Sequence, residues 1–510
     1  MGKNEGMDQA LALEILMSGE SALLTGPAGS GKTYVLNQFI RHAKAEGKRV
    51  AVTATTGLAA THLNGTTIHA WSGIGVHDEL PKTFFKHLTK ARREAIQKAD
   101  ALIIDEISML HDYRLDMIEA VAREARETDA PFGGLQVILC GDFFQLPPVT
   151  RGSQASSSFV VTSEAWQKLD PVICYLTEQH RQDDDDFLEI LNALRANDLR
   201  RRHAEALLAR RQAYDPFVQQ TELHTTNVDV DAINYQRLSA LDGEEHSYDM
   251  TTSGGSRYVE SLKKSCLAQE ELVLKEGALV MCIRNNPEKK YVNGSLGVVT
   301  GFDKDTDYPK IELTNGRKIT IGPETWELRD GDKKRASLVQ IPLRLAWAIT
   351  VHKSQGMTLD AARIDLSKAF VPGMGYVALS RVKRLDTLSL AGLNQMALKV
   401  SDDALGIDVS LRAQAQSHAK AFEHLRVKAE ERAKQKPPKE SKGPWQDKLE
   451  KMRLTYPNAY RPWKAEHDET LKKGYKKGKS VTEMSKQLGR HPGSIKKRLE
   501  KHYGEDWESA

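Results

Sequence analysis

The chain is 510 residues long, with 28% charged and 40% hydrophobic residues and a net charge of +4, long enough for several packed domains. No apolar run reaches membrane-spanning length, since even Leu338 to Val351 contains Gln340 and Arg344, and Met1 to Glu20 lacks a secretory apolar core. The four cysteines, Cys140, Cys174, Cys266 and Cys282, are scattered, which argues against a disulfide framework and a C-x-x-C zinc site. The expectation is a cytoplasmic protein with no membrane partner, nucleoid-associated if bacterial.

In chain order, Ser21 to Leu24 predicts a short buried strand. Gly26-Pro27-Ala28-Gly29-Ser30-Gly31-Lys32-Thr33 then satisfies G-x-x-x-x-G-K-[ST], and Thr33 to His42 predicts the following helix. Glycines let backbone N–H groups close around phosphate oxygens, Lys32 can reach the β- and γ-phosphates, and Thr33 can place its hydroxyl on Mg²⁺. The pattern predicts hydrolysis of a nucleoside triphosphate. Next come Thr55, Thr56 and Gly57, then Thr66, Thr67 and His69, whose hydroxyls and amides suit backbone phosphates. Thr66 to Ala70 reads as strand, and Trp71 beyond it reads either as a base-stacking ring or as core.

Ala101 to Ile104 predicts a strand ending at Asp105-Glu106. Asp105 is assigned to the metal and Glu106 to the attacking water. Gln136 to Cys140 predicts a third strand, ending at Gly141-Asp142, with Gln145 on the loop where an amide can report the γ-phosphate. Strands alternating with helices imply a parallel sheet with its site at the carboxyl ends.

Four segments read together resemble the petite-integration-frequency (Pif) helicases of superfamily 1, close to RecD-like enzymes. They are Gly26 to Thr33, Thr53 to Ala60, Gly65 to His69 and Gly141 to Pro148; Ala346 to Gly356 and Tyr376 to Arg381 continue the likeness. The resemblance implies an α/β fold of two RecA-like P-loop domains with ATP between them. It implies Gln9 as the adenine reader, Gly356 as a further nucleotide contact, and Arg181 and Arg381 as an arginine pair acting from the second domain. It also implies a single-strand channel that includes His352, Lys353, Ser354 and Gln355.

From Asn286 to about Gln340, short β runs and the turn Asn315-Gly316 resemble the Src-homology-3-like barrel inserted in the second domain of these helicases. A small wedge is expected at about 75–93. The expected boundaries are 1–180 for the first domain, 181–285 and 341–405 for the second, 286–340 for the barrel, and 406–444 for a helix and linker. Residues 445–510 form the last module. From Lys434 onward, 20 Lys+Arg face 11 Asp+Glu, a local +9 that leaves −5 on the remainder. A basic tail on a near-neutral body points to a polyanionic partner.

The run Lys436 to Pro444 reads as linker. Ser480-x-x-Glu483 is a capping box, Gly489 a helix stop and Pro492 a helix start. Together with Trp463 these resemble a Myb/SANT-like helix-turn-helix fold, which implies a last helix presenting Lys496, Lys497 and Arg498 to DNA. The reading is an ATP- and Mg²⁺-dependent DNA helicase, monomeric, moving 5′ to 3′ on single-stranded DNA. Its expected setting is replication, repair or recombination, with duplex or junction DNA and proteins of those processes as partners. The alternatives are a translocase that displaces proteins with little unwinding, and an ATP-switched DNA-binding protein.

Overall fold

The computed structural model describes residues 7–63, 65–75, 78–81, 83–148, 158–179, 182–212, 220–266, 268–284, 286, 291, 295–314, 316–330, 333–359, 361–434, 454–458 and 465–503. The chain divides into two compact units, 1–437 and 438–510.

The first unit opens with helix α1 (Gln9–Met17), whose N-terminus is capped by the Asp8 carboxylate accepting from Leu11 N–H at 2.8 Å. A six-stranded sheet follows, built from β1 (Ala22–Thr25), β2 (Val50–Ala54), β3 (Thr66–Thr67), β4 (Ala101–Asp105), β5 (Gln136–Gly141) and β6 (Val172–Tyr175). Its order is β3-β2-β4-β5-β1-β6, with all neighbours parallel. β1 lies between β5 and β6, and all four of its residues are buried, which is why it reads as an unbroken apolar run rather than an alternating one. Helix α2 (Lys32–Ala45) leaves β1 through the glycine-rich loop and covers one face with Val35, Leu36, Phe39 and Ile40.

Thr66 to Ala70 departs from the expected strand. Only Thr66–Thr67 pair with β2, and a helix begins at Ile68 because the Thr67 hydroxyl accepts from Ala70 N–H. Trp71 therefore lies on that helix, half-buried and packed against the core.

A second parallel sheet, of four strands, is ordered 348–350, 221–224, 362–366, 388–393. The β-rich segment between 246 and 345 forms antiparallel sheets that extend beyond the expected limits of 286 and 340. Strands 318–320, 309–313 and 296–302 continue into 279–282 and 343–345, and the hairpin 324–330/333–340 adds 251–254. Val280, Cys282, Leu343 and Leu345 of the added strands fill the same small core as Val299, Ile311 and Leu313, whereas Trp326 and Leu338 of the hairpin pack with Val259 and Leu262 in another. Asn315 lies outside the described residues, while Gly316 takes a φ of +76° at that turn.

After the second sheet the chain returns to the first. Helix Asp402–Ala421 packs on β6, where His418 Nδ1 accepts from Ile173 N–H at 2.8 Å. Helix Arg426–Lys434 then lies along α1, with Arg426 on Asp8 and with Lys428 and Arg432 on the buried Glu14 carboxylate. The polar stretch after residue 405 is thus a strap, starting at Asp402.

The second unit contains helices Ala465–Lys476, Val481–Leu488 and Pro492–Tyr503 around Leu471, Met484, Leu488, Ile495 and Leu499. Ser480 and Glu483 form the expected capping box, and Gly489 ends its helix at φ +60°. Trp463 and the linker Lys436 to Pro444 lie outside the described residues.

Candidate functional site

The glycine-rich loop occupies the carboxyl end of β1. Gly31 has φ +86°, a left-handed conformation that favours glycine, and a Cβ there would displace the Gln9 amide, whose nitrogen lies 2.1 Å from that position. Gln9 in turn donates from Nε2 to Ser30 O at 3.0 Å, which brings α1 onto the loop. The Lys32 ammonium folds back onto the carbonyls of Gly26 (2.8 Å) and Pro27 (3.0 Å). Burial pushes the Lys32 pKa down, and Asp142 acts in the opposite sense.

Asp105 and Glu106 end β4 beside this loop. Asp105 Oδ1 accepts from Glu106 N–H at 2.9 Å, and Glu106 takes φ 55° and ψ 44°, a left-handed conformation uncommon for glutamate. Burial raises both carboxyl groups, and Asp105's charge raises Glu106 further. The strained turn aims Glu106 across the cleft. There its Oε2 accepts from Gln355 Nε2 at 2.8 Å, and the same amide donates to Gln145 Oε1 at 3.1 Å.

Gln355 and Arg381 come from the part of the chain that carries the second sheet. Arg381 is 1% exposed; its guanidinium donates to the carbonyls of Val377, Ser354 and Met357 and to the Ser380 hydroxyl. Together these groups line a cleft of about 420 Å³ whose wall includes Gly29, Lys32, Thr33, Asp105, Glu106, Gln145, Gly356 and Arg381. Asp183, Thr358 and Lys383 also line it, and no local motif in the sequence marks them. Arg181 lies outside the described residues.

The oxygen donors Thr33 and Asp105 face one space, a set that suits a hard divalent cation completed by phosphate oxygens. Among the described residues no cluster of three or more His, Cys, Asp or Glu forms a protein-only metal cage. The cleft can bind a nucleotide, activate a water and neutralise charge from both sides.

The threonines expected on nucleic acid have local duties as well. Thr55 is buried, with its hydroxyl on Glu106 O at 2.9 Å, and the Thr56 hydroxyl caps Ala59 N–H. Gly57, Thr66 and Thr67 remain half-exposed. His69 Nε2 lies 2.9 Å from Arg114; burial first and that guanidinium second lower its pKa to about 4, so it is neutral.

The run from His352 divides. His352 and Lys353 line a second pocket of about 440 Å³ with Thr225, Thr226, Asn227, Thr350 and Phe370. Ser354 is buried in the turn, and Gln355 enters the first cleft. Phe370 is 58% exposed and stacks on His352 with centroids 6.3 Å apart; an isolated phenylalanine in a loop carried no sequence signal. In the second unit Lys496 is exposed, whereas Arg498 is held by Asp468 at 2.8 and 2.5 Å. Lys497's side chain lies outside the description. Lys472, Lys473, Lys476 and Lys477 add exposed positive charge.

Comparison with known proteins gives a consistent picture. The family described as PIF1-like helicase matches residues 5–200, and the description "DNA helicase Pif1, 2B domain" matches residues 257–302. The ATP-dependent DNA helicase Pif1 of Psychrobacter sp. (strain PRwf-1) is 42% identical over 82% of this chain and 73% of its own length. The ATP-dependent DNA helicase PIF1 of Homo sapiens is 37% identical over 79% of this chain, which spans 63% of that longer protein. Bacteroides sp. Pif1 in complex with ADP-AlF4 superposes with TM-score 0.71 at 30% identity, covering 81% of this chain and 98% of its own. Bacteroides Pif1 helicase in complex with ADP-AlF3 and ssDNA gives 0.57 at 31%, covering 79% and 97%.

Proposed function

Because the chain belongs to the PIF1-like helicase family and is an ATP-dependent DNA helicase, we propose that the cleft between its two sheets hydrolyses ATP to drive 5′-to-3′ movement on single-stranded DNA. One observation carries the assignment. Lys32, Asp105, Glu106 and Gln145 from the first sheet face Gly356 and Arg381 across one cleft, and Gln355 joins the walls through Glu106.

In this reading Gln9 and the loop Gly26 to Thr33 bind the nucleotide. Lys32 exchanges its two carbonyl partners for phosphate oxygens. Thr33 and Asp105 would hold Mg²⁺, which when bound supplies positive charge to the phosphate oxygens. Glu106, with a carboxyl group raised by burial, accepts the proton of the attacking water. Gln145 and Gln355 fix its orientation, and Arg381 balances charge on the transferring group. Arg181 is assigned as the second arginine on sequence grounds alone.

The strand of DNA would cross Thr56, Gly57, Thr66, Thr67 and His69, then His352, Lys353 and Phe370, with phosphates on the hydroxyls and a base on the ring. The proposed division is a first RecA-like domain at 1–180, with a wedge near 75–93, and a second at 181–285 and 341–405. The β insert is completed by strands outside 286–340, the strap takes over the last residues of that second domain from 402 onward, and a DNA-binding module occupies 445–510. That module would hold duplex or junction DNA through its basic surface. A single chain supplies every described group that lines the cleft, which supports action as a monomer, with repair or recombination as the setting.

The test pairs 5′- and 3′-tailed duplexes, with ATPase measured alongside and Lys32→Ala as the control. The expected result is unwinding of the 5′-tailed substrate alone and no turnover by the variant. Unwinding of the 3′-tailed substrate alone would overturn the direction, and substantial turnover by Lys32→Ala would overturn the assignment of the loop. ATPase and strand movement without unwinding would reassign the chain as a translocase.

A further inference from the structure

A buried polar relay lies behind the cleft, outside the groups assigned to hydrolysis. The Tyr376 hydroxyl accepts from the backbone N–H of Ala28, in the phosphate loop, at 2.9 Å. It also lies 3.4 Å from the Arg195 guanidinium, which binds Asp142 Oδ1 at 2.6 Å and sits 4.1 Å from the centre of the Phe144 ring. Arg195 reaches on to the Tyr175 hydroxyl at 3.0 Å and to Asp408 of the strap at 3.3 Å. All of these groups except Asp408 are buried.

The placement matters because Tyr376 shares helix Met374–Leu379 with the carbonyl that grips Arg381. Val377 O accepts from Arg381 Nε at 2.7 Å, one residue after the tyrosine. The helix starts at Gly373, with φ +82°. A Cβ there would lie 2.6 Å from Phe144 O and 2.7 Å from Gln145 O, so the helix end presses on the loop carrying Gln145. One short helix thus touches the phosphate loop, the Gln145 loop and the Arg381 carrier.

We propose that Tyr376 is a positioning residue for hydrolysis: its hydroxyl, steadied by Arg195, keeps the phosphate loop in register with the arginine-bearing helix, so that Lys32 and Arg381 address the same phosphate. This rests on the reading of the cleft as the ATPase site. The proton inventory is simple, because burial pushes the Tyr376 phenol up to about 12 and it remains a neutral hydroxyl. Removing that oxygen leaves the Ala28 N–H buried without its acceptor. A lost hydrogen bond of about 1–3 kcal/mol converts to roughly 5- to 150-fold in rate if it is felt only when the cleft closes.

The experiment compares Tyr376→Phe with Tyr175→Phe in the full-length protein. Tyr175 belongs to the same relay, but its hydroxyl bonds Arg195 and Asp408, whereas that of Tyr376 holds the phosphate-loop N–H of Ala28. Single-stranded-DNA-stimulated ATPase, nucleotide KM and melting temperature are measured for each. Tyr376→Phe is expected to lower kcat by about tenfold or more while KM changes by less than about threefold, and Tyr175→Phe to keep kcat within about threefold. Arg195→Lys, which keeps the charge beside Asp142 and withdraws the forked donor, should show the same kcat-selective loss to a smaller degree. It also serves as the readout if Tyr376→Phe does not fold. The inference is overturned if Tyr376→Phe keeps its kcat, if Tyr175→Phe loses as much, or if Arg195→Lys, read in its place, is unaffected. An inactive wild-type protein would instead overturn the ATPase reading itself.

Discussion

Gln355 sits where a purely nucleic-acid role would not place it, and its removal gives a sharp test. Its side chain is 7% exposed, and its amide spans Glu106 Oε2 at 2.8 Å and Gln145 Oε1 at 3.1 Å. Gln355→Ala deletes one hydrogen bond to a charged acceptor, worth about 1.5–3 kcal/mol, and leaves that acceptor buried. If the contact acts on the water-activating carboxylate, the change appears as a fall in kcat of about 10- to 150-fold. The assay is steady-state ATPase at saturating single-stranded DNA, with nucleotide and DNA affinities measured separately by equilibrium titration. Both affinities should stay within about threefold of wild type. Unchanged kcat, or a defect confined to DNA affinity, would refute the placement of Gln355 in the hydrolytic site.

Arg381→Ala should reduce stimulated turnover by about 10³–10⁵-fold if it acts on the transferring phosphoryl group, and near-normal turnover in a stopped assay would remove it from the site. Deleting Lys434 to Ala510 should spare ATPase at saturating single-stranded DNA but weaken duplex or junction binding. That loss should be largest at low salt in a titration series, because the deleted stretch carries the local +9. In the same module, hydrogen bonds from Arg498 and His502 lower the Asp468 pKa from 3.8 to about 2. A depressed carboxyl contributes stability above its unfolded pKa and loses it as pH falls through the folded one. Asp468→Asn should therefore reduce hydrogen-exchange protection of 465–503 at pH near 5 by roughly 2 kcal/mol, with the difference vanishing towards pH 2. Equal protection at both pH values would show that the pair is not stabilising.

The parts of the site legible in the sequence are those whose chemistry is local. The phosphate loop needs glycines at fixed offsets, and Asp105-Glu106 needs only a strand leading into it, so Lys32, Thr33 and Glu106 all fall on the cleft. What escaped depends on distant neighbours. Ser354 and Gln355 are adjacent, yet one is buried in its turn and the other crosses to Glu106, 249 positions away. Arg498 reads as an outward cation, but its fate is set by Asp468 two helices earlier, 30 positions back. Thr66 to Ala70 has the β-branched residues of a strand, but the Thr67 hydroxyl starts a helix instead. The strap's attachment through Glu14 joins positions more than 400 apart, which no local pattern can register.

The strap also bears on how the motor moves. The polypeptide passes from the first sheet to the second after β6, and passes back before Asp402, where it is pinned to β6 and α1. Two bodies tied by a single thread can swivel in any direction. Tied by two threads, they are held near the line joining the crossings and behave as a door on a pair of hinges. The free edge of that door is the cleft, where Gln355 and Arg381 meet Glu106 and Lys32. The return crossing is itself packed, with Ala397 and Val400 buried and Lys399 O accepting from Gly373 N–H, so residues outside the cleft restrict how its two walls can part.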